Sequence, residues 1–243
     1  MVPLERILTI NPGSSSLRVA VFGNDHGLEQ MEFAVEAGGI GTDPGYLATR
    51  SEDGGTMDRH PAVIADHADA LRQIFGELVQ RGFDRGIVGI GQRIVHGYTR
   101  YSAPAVIDTA MVDYLGTITS LDPMHLPDAL AAIDAAMKAF PKTPQVACFD
   151  TAFHKDLPPE AREYALPAAF AARGIQRYGF HGLSYESVMG TLAALGGSAA
   201  AGRVVIAHLG NGASMAAVRD GVGVDTTMGL TPAGGLMMGT RVG

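Results

Sequence analysis

The sequence predicts an α/β fold built from two related units. Three observations carry that reading. Short apolar runs of strand length alternate with longer runs of helical period. Two strand–turn–strand stretches with small-residue turns recur, at residues 6–22 and 204–218. After Asp150 the order of elements begins again with a helix, a strand, a glycine turn and a strand. The expected division is 1–150 and 151–243, the second part holding too few elements to close its own core.

The elements follow in order. Residues 6–10 read as a buried strand, and 11–16 as a turn of strand-breaking residues. Residues 17–22 are a second strand with Leu17, Val19 and Val21 on one face. Asn24-Asp25-His26-Gly27 is a turn and 28–35 a third strand. The polar, glycine-rich stretch 38–60 reads as a surface excursion. Ile64, Ala68, Leu71, Phe75 and Leu78 recur at helical spacing, with Gly82 as the stop. Residues 87–95 form a strand, and Leu126, Leu130, Ile133, Met137 and Phe140 mark a second helix before Pro141. Residues 145–149 are a strand running into Asp150. Val188, Leu192 and Leu195 mark a helix closed by Gly196-Gly197, followed by strands at 204–208 and 213–218 around the turn at 210–212.

Composition narrows the function classes. Of 243 residues, 47% are hydrophobic and 18% charged, which supports a sizeable core. A formal net charge of −7 gives no broad basic footprint for nucleic acid or an anionic membrane. Anions must then be held locally by placed Arg, His and backbone N–H groups. A single cysteine, Cys148, excludes an intrachain disulfide. With no basic and apolar leader pattern at residues 1–6 and no membrane-length apolar run, a cytoplasmic protein is expected.

Six stretches carry chemistry. Asn11-Pro12-Gly13-Ser14-Ser15-Ser16 lets backbone N–H groups approach an anion closely, although a plain hairpin turn is the commoner outcome for such residues. It is no nucleotide P-loop, because Lys is missing and a strand follows where a helix is needed. Gln92-Arg93-Ile94-Val95-His96-Gly97 places an Arg at the carboxyl end of a strand, where α/β sheets bind ligands. A lone Arg there is more often a surface ion pair. Phe149-Asp150-Thr151-Ala152-Phe153-His154 puts a carboxylate after a buried strand, either to organise a metal or nucleophile or to cap a helix. Arg177-Tyr178-Gly179-Phe180-His181-Gly182-Leu183-Ser184 sets an imidazole between glycines ahead of a helix, suited to an anion or to a structural hydrogen bond. His208-Leu209-Gly210-Asn211-Gly212-Ala213-Ser214 repeats the small-residue hairpin. Residues 225–241 are glycine- and methionine-rich and deliver Arg241; the Met237-Met238 pair reads as ordinary packing. No histidine pair at helical spacing supports a zinc site, and no Gly-x-Ser-x-Gly elbow supports a serine hydrolase.

Taken together and in this order, the six stretches closely resemble the acetate kinase family of acetokinases. The resemblance implies a fold of the actin, hexokinase and ribonuclease H type, with two domains facing a cleft and the second incomplete here. It implies reversible, direct in-line phosphoryl transfer between ATP and acetate, giving ADP and acetyl phosphate, with Mg²⁺ or Mn²⁺. Carried over by position, Asn11 would hold metal and phosphates, with Ser14 and Ser16 in the same turn. Arg93 and Arg241 would flank carboxylate and phosphoryl group, Asp150 would organise metal and nucleophile, and His181 would stabilise the group in transfer. His208, Leu209, Gly210, Asn211 and Gly212 would contact nucleotide phosphates. Arg93, Val95, Phe180 and Pro232 would line the substrate pocket. Partners implied are a short-chain carboxylate and ATP, with a homodimer at full length and neither nucleic acid nor membrane.

Departures from the family pattern are Arg18 for Lys, Gln92 for His, Tyr98 for Gly, Met124-His125-Leu126-Pro127 for a Leu-His-Asn-Pro segment, and Gly234 for Glu. Because Tyr98 and Met124 neighbour the expected acyl pocket, a propionate or butyrate kinase is the alternative. Family members continue well past Arg241, so a nucleotide-binding fragment without turnover is the other.

Overall fold

The computed structural model describes residues 5–25, 28–51, 57–196, 201–239 and 241–243. The leader reading at residues 1–4, part of the 24–27 turn, Gly197 of the helix stop and Thr240 of the last motif lie outside the described residues. The chain divides into two compact units, Met1–Arg93 with Ala105–Ala147, and Ile94–Pro104 with Cys148–Gly243.

The first unit is built on an eight-stranded sheet of order β5-β4-β3-β2-β1-β6-β8-β7. Strands β1 (Arg6–Pro12), β2 (Ser16–Asp25), β3 (Leu28–Gly38), β4 (Gly45–Ser51) and β5 (Asp58–Ala62) form an antiparallel meander. On its other side β1 pairs in parallel with β6 (Ile87–Ile94). Beyond it lie β8 (Gln145–Phe149) and the two-residue β7 (Ala105–Val106). Strict alternation decides the buried face. Leu8 and Ile10 of β1 and Leu17, Val19 and Val21 of β2 are at most 1% exposed. Helices α1 (His67–Arg81), α2 (Thr109–Thr117) and α3 (Leu126–Ala139) belong to this unit. Asp66 caps α1 by accepting from the Asp69 N–H, and Gly82 ends it in the left-handed conformation. Leu71, Ile74 and Leu78 of α1, with Ala132 and Ala136 of α3, complete the core against β1–β3.

Two expectations need correction here. Residues 38–60 are not a surface excursion; they contain β4 and the start of β5, paired onto β3. The buried residues of β4 are Gly45, Leu47, Ala48 and Thr49, mostly too small to register as an apolar run. Helix α2 also escaped the sequence reading, although Asp108 caps it and Met111 and Leu115 form its buried pair.

The second unit carries a three-stranded antiparallel sheet of order β11-β10-β9, from β9 (Arg203–Leu209), β10 (Ala213–Arg219) and β11 (Val222–Thr226). Two single-turn helices, α4 (Pro159–Arg162) and α5 (Ala168–Ala171), precede α6 (Gly182–Ala194). Helix α6 buries Tyr185 and Met189 against Ile206, Ala216 and Val218. The stripe expected from Val188 and Leu195 is instead 43% and 78% exposed. A bulky aromatic with a hydroxyl partner displaced the aliphatic face from the core. Among the described residues no helix is long and apolar enough to cross a membrane.

Candidate active site

In the first unit the site begins at the β1–β2 turn. Asn11 pairs with Arg18 and Pro12 with Leu17, and the Gly13 N–H donates to Ser16 O at 2.7 Å, which tightens the loop. Ser14 and Ser15 stand exposed at its tip, with Ser16 half-buried. Because β1 and β6 run in parallel with Ile10 opposite Gln92, Asn11 and Arg93 emerge together at the carboxyl ends of neighbouring strands. There the Arg93 Nη1 donates to Asn11 Oδ1 at 3.0 Å. The turn is also tied to α1, since His67 Nε2 lies 2.7 Å from Gly13 O. Asp128 Oδ1 of α3 sits 3.4 Å from the other ring nitrogen, His67 Nδ1. Neither His67 nor Asp128 was singled out from sequence.

In the second unit the sequence Gly179-Phe180-His181-Gly182 folds as a bend into α6. His181 takes φ 60°, and the Gly182 N–H donates to Asp150 O at 2.7 Å. A Cβ at Gly182 would collide with that carbonyl, so only glycine brings the helix start this close to Asp150. Asp150 itself is 2% exposed and its N–H donates to Ile94 O at 2.9 Å. The His181 ring stacks on His208, with centroids 4.1 Å apart at 21°. A Cβ on Gly212 would sit 3.1 Å from His181 Nε2, so this edge of the imidazole faces the β9–β10 turn. His181 Nδ1 lies 2.7 Å from Ser214 Oγ, which Tyr185 Oη also contacts. Tyr185 is fully buried with no other hydroxyl partner among the described residues, so its O–H donates to Ser214. In the neutral ring the Ser214 hydrogen then points to Nδ1, leaving the N–H on Nε2. His208 is held in turn by Ser184 Oγ, 3.0 Å from its Nδ1. Leu209, Gly210 and Asn211 are exposed on the turn, closed by the Gly210 N–H to Gly212 O at 3.0 Å.

Val95 and Phe180 meet in one small apolar cluster with Ala213, Met228 and Met238, edged by Leu236. Pro232 is not part of that cluster; it serves Arg241, whose Nη1 donates to its carbonyl at 2.9 Å. The Met238 N–H donates to Arg241 O at 2.9 Å and closes the same bend.

Comparison with known proteins identifies the family of the chain. The profile of the acetokinase family matches residues 6–243. The chain belongs to the acetokinase family. It is 41% identical over 248 residues to an acetate kinase of Methylocella silvestris, covering 98% of this chain and 61% of that one. It is 42% identical over 239 residues to a propionate kinase of Yersinia enterocolitica, covering 98% and 57%. Among solved structures, a propionate kinase from Francisella tularensis superposes with a TM-score of 0.86 at 34% identity, covering 98% of this chain and 60% of that one. Porphyromonas gingivalis acetate kinase gives 0.81 at 30%, with the same coverages. The chain thus spans about 60% of the length of these acetokinases, and its α/β fold is theirs.

Other groups have narrower roles. Cys148 is half-buried, and burial followed by the Glu186 charge pushes its thiol pKa up, against a nucleophilic role. Burial drives His154 down to about 4, against the raising effects of its contact to Phe180 O and the Asp150 charge, so its ring is neutral near pH 7. The hydrogen-bonding partners Ser184, Ser214 and Tyr185 were not assigned from sequence as part of the site. Ser184 and Ser214 stood inside quoted motifs, but nothing in the sequence indicated that Ser214 would meet a helix residue 29 positions away. Among the described residues no group of His, Cys, Asp and Glu is gathered to hold a metal ion.

Proposed function

We propose that this acetokinase chain carries the carboxylate-binding and phosphoryl-transfer residues of an acetate kinase, acting between ATP and acetate. Supporting this reading above all is the His181 arrangement: an imidazole whose Nδ1 is held by Ser214 and whose Nε2 faces Gly212 of the turn. That is a fixed N–H donor beside a backbone cradle, suited to a phosphate oxygen. The relatives named acetate kinase support the substrate assignment.

In the forward direction a carboxylate oxygen of acetate attacks the γ-phosphorus of ATP. The bond from phosphorus to the bridging oxygen breaks, and its electron pair leaves on ADP. No general base is needed, because the nucleophile is already an anion. The work left to the protein is alignment and neutralisation of the three equatorial oxygens. We assign Arg93, Arg241 and the His181 Nε2–H to those oxygens and to the acetate carboxylate. Asn11, Ser14, Ser16 and the turn from His208 to Gly212 are assigned to nucleotide phosphates. Val95 and Phe180, with Pro232, are assigned to the substrate methyl group. The donor chemistry fits a Mg²⁺ that takes most of its ligands from the nucleotide and water, with Asn11 as protein ligand and Asp150 as its organiser. Such an ion, when bound, supplies positive charge to the phosphates. Soluble, cytoplasmic location and a homodimer at full length complete the proposal.

A second reading, propionate kinase, is favoured by the Yersinia and Francisella relatives. The test is hydroxamate trapping of acyl phosphate with acetate, propionate and butyrate. It is run on the 243-residue chain and on a protein of the relatives' length carrying these residues. Acetate giving the highest kcat/KM supports the first reading, and propionate the second. No acyl phosphate from either protein sinks both.

A further inference from the structure

On the second unit there is a cavity of about 220 Å³ that none of the residues assigned above lines. Its charged lining groups are Lys155, Arg162 and Arg177, and no Asp or Glu is among its lining residues. Backbone pairing forces two of these cations together. Glu163 and Gln176 form an antiparallel bridge, and the Arg177 N–H donates to Arg162 O at 2.7 Å. Like charges held side by side repel unless something lies between them. Among the described residues no ion pair involves any of the three; Arg177 has the Tyr164 ring at 5.4 Å instead.

Two polar atoms at this cavity are buried and have no hydrogen-bond partner: Arg162 Nε and His154 Nδ1. His154 is 2% exposed and is among the residues that line the cavity. Its Nε2 is 3.2 Å from Phe180 O, a carbonyl that only accepts, so the neutral ring carries its hydrogen there and Nδ1 is an acceptor. The cavity therefore offers several cationic donors and one buried acceptor. Thr99, Ser102 and Thr151 add hydroxyls.

We propose that this cavity is a binding site for hydrogen phosphate, gripped by Lys155, Arg162 and Arg177 and read by His154. Guanidinium groups match the oxygens of a tetrahedral dianion. The P–OH hydrogen of phosphate satisfies His154 Nδ1. Sulfate, of the same shape and charge, has no hydrogen to give.

The test is calorimetric titration of the 243-residue chain with sodium phosphate at pH 7 and low ionic strength. A site is expected whose Kd is raised about tenfold or more in Arg162→Gln and in Lys155→Gln, the loss of one charge-assisted hydrogen bond. Lys155 is exposed, so its replacement leaves the fold intact. The site is expected to survive Arg93→Gln and Arg241→Gln. The ¹⁵N signal of His154 Nδ1 is expected to shift on phosphate addition and not on sulfate. Glycerol 3-phosphate binding more tightly than phosphate would assign the site to phosphate monoesters, and binding more weakly to the free anion. Loss of the signal in Arg93→Gln or Arg241→Gln, no effect of Lys155→Gln, no binding at 20 mM phosphate, or sulfate matching phosphate would each overturn the proposal.

Discussion

The two small-residue hairpins look alike in sequence and are supported in opposite ways. The β1–β2 turn sits in the middle of an eight-stranded sheet and is braced from outside itself, by Arg93 on the parallel neighbour and by His67 and Asp128 on two helices. The β9–β10 turn belongs to a three-stranded sheet in which β9 is the last strand. Its tip is exposed, and its order comes from the stacked His181 and His208 rings and from Ser214 beneath them. A turn braced from several separate elements tolerates loss of one partner better than a turn that leans on one stacked pair of rings. Small-residue turns thus say where an anion can approach, while the residues that make the turn precise are elsewhere in the chain.

The largest effect that would test this contrast concerns the cations. Arg93→Ala and Arg241→Ala, in a protein of the relatives' length, are expected to lower kcat by about 10²–10³, or ~3–4 kcal/mol, with an unchanged melting temperature. Near-normal turnover in either variant would remove that Arg from the proposed chemistry. Next is His154, which backs the His181 bend through Phe180. Its folded pKa of about 4 lies below the ordinary 6.5, so the unfolded chain takes up a proton first as pH falls. Its contribution is whole above pH 6.5 and is lost between 6.5 and about 4, roughly 3 kcal/mol in all. Urea unfolding at pH 7 and at pH 4.5 checks this; His154→Gln is expected to flatten the difference, and an equal slope in both proteins would contradict it.

A smaller effect separates the braces themselves. Ser214→Ala frees the His181 tautomer and is expected to cost about 1–2 kcal/mol in kcat/KM, roughly ten-fold, through kcat. His67→Ala loosens only one of several ties to the first turn, so a loss of about 1 kcal/mol, appearing in KM for ATP, is expected. Steady-state kinetics with ATP varied distinguishes the two; equal losses would erase the contrast between hairpins. Smallest is Arg18→Lys. Arg18 pairs with Glu36 at 2.8 Å with 64% of its own side chain exposed. Burial raises the Glu36 pKa, but hydrogen bonds from Arg18 and Tyr46 outweigh it and hold the carboxyl below its usual range. A thermal melt is expected to move by less than about 0.5 kcal/mol equivalent.

Much of this was legible in the sequence, for definite reasons. Strands with one buried face announce themselves by alternation, so β1, β2 and β8 lay where the apolar residues put them. Helix α1 was bracketed by its own glycine stop. What alternation could not reveal was burial of small residues: Gly45, Ala48 and Thr49 gain their cover from a neighbouring strand. Helix α6 was found but turned wrongly, because Val188 looks more apolar than Tyr185 until a buried serine accepts the tyrosine hydrogen. For the site, Arg93 and Asn11 were recognisable from their motifs and meet through parallel pairing. Their supports were not, since His67 and Asp128 lie in separate helices and matter only once folding closes a 54-residue gap to Gly13.

One consequence follows from the way the polypeptide is shared out. Residues 94–104 leave the first unit and belong to the second, which resumes only at Cys148. They take with them Val95, His96 and Tyr98; the His96 ring accepts from the Tyr98 N–H and lies 3.1 Å from Leu230 O. No single cleavage of the backbone separates the units intact. A chain emerging N-terminus first from a ribosome must hold that eleven-residue piece in waiting until the partners it serves have been synthesised.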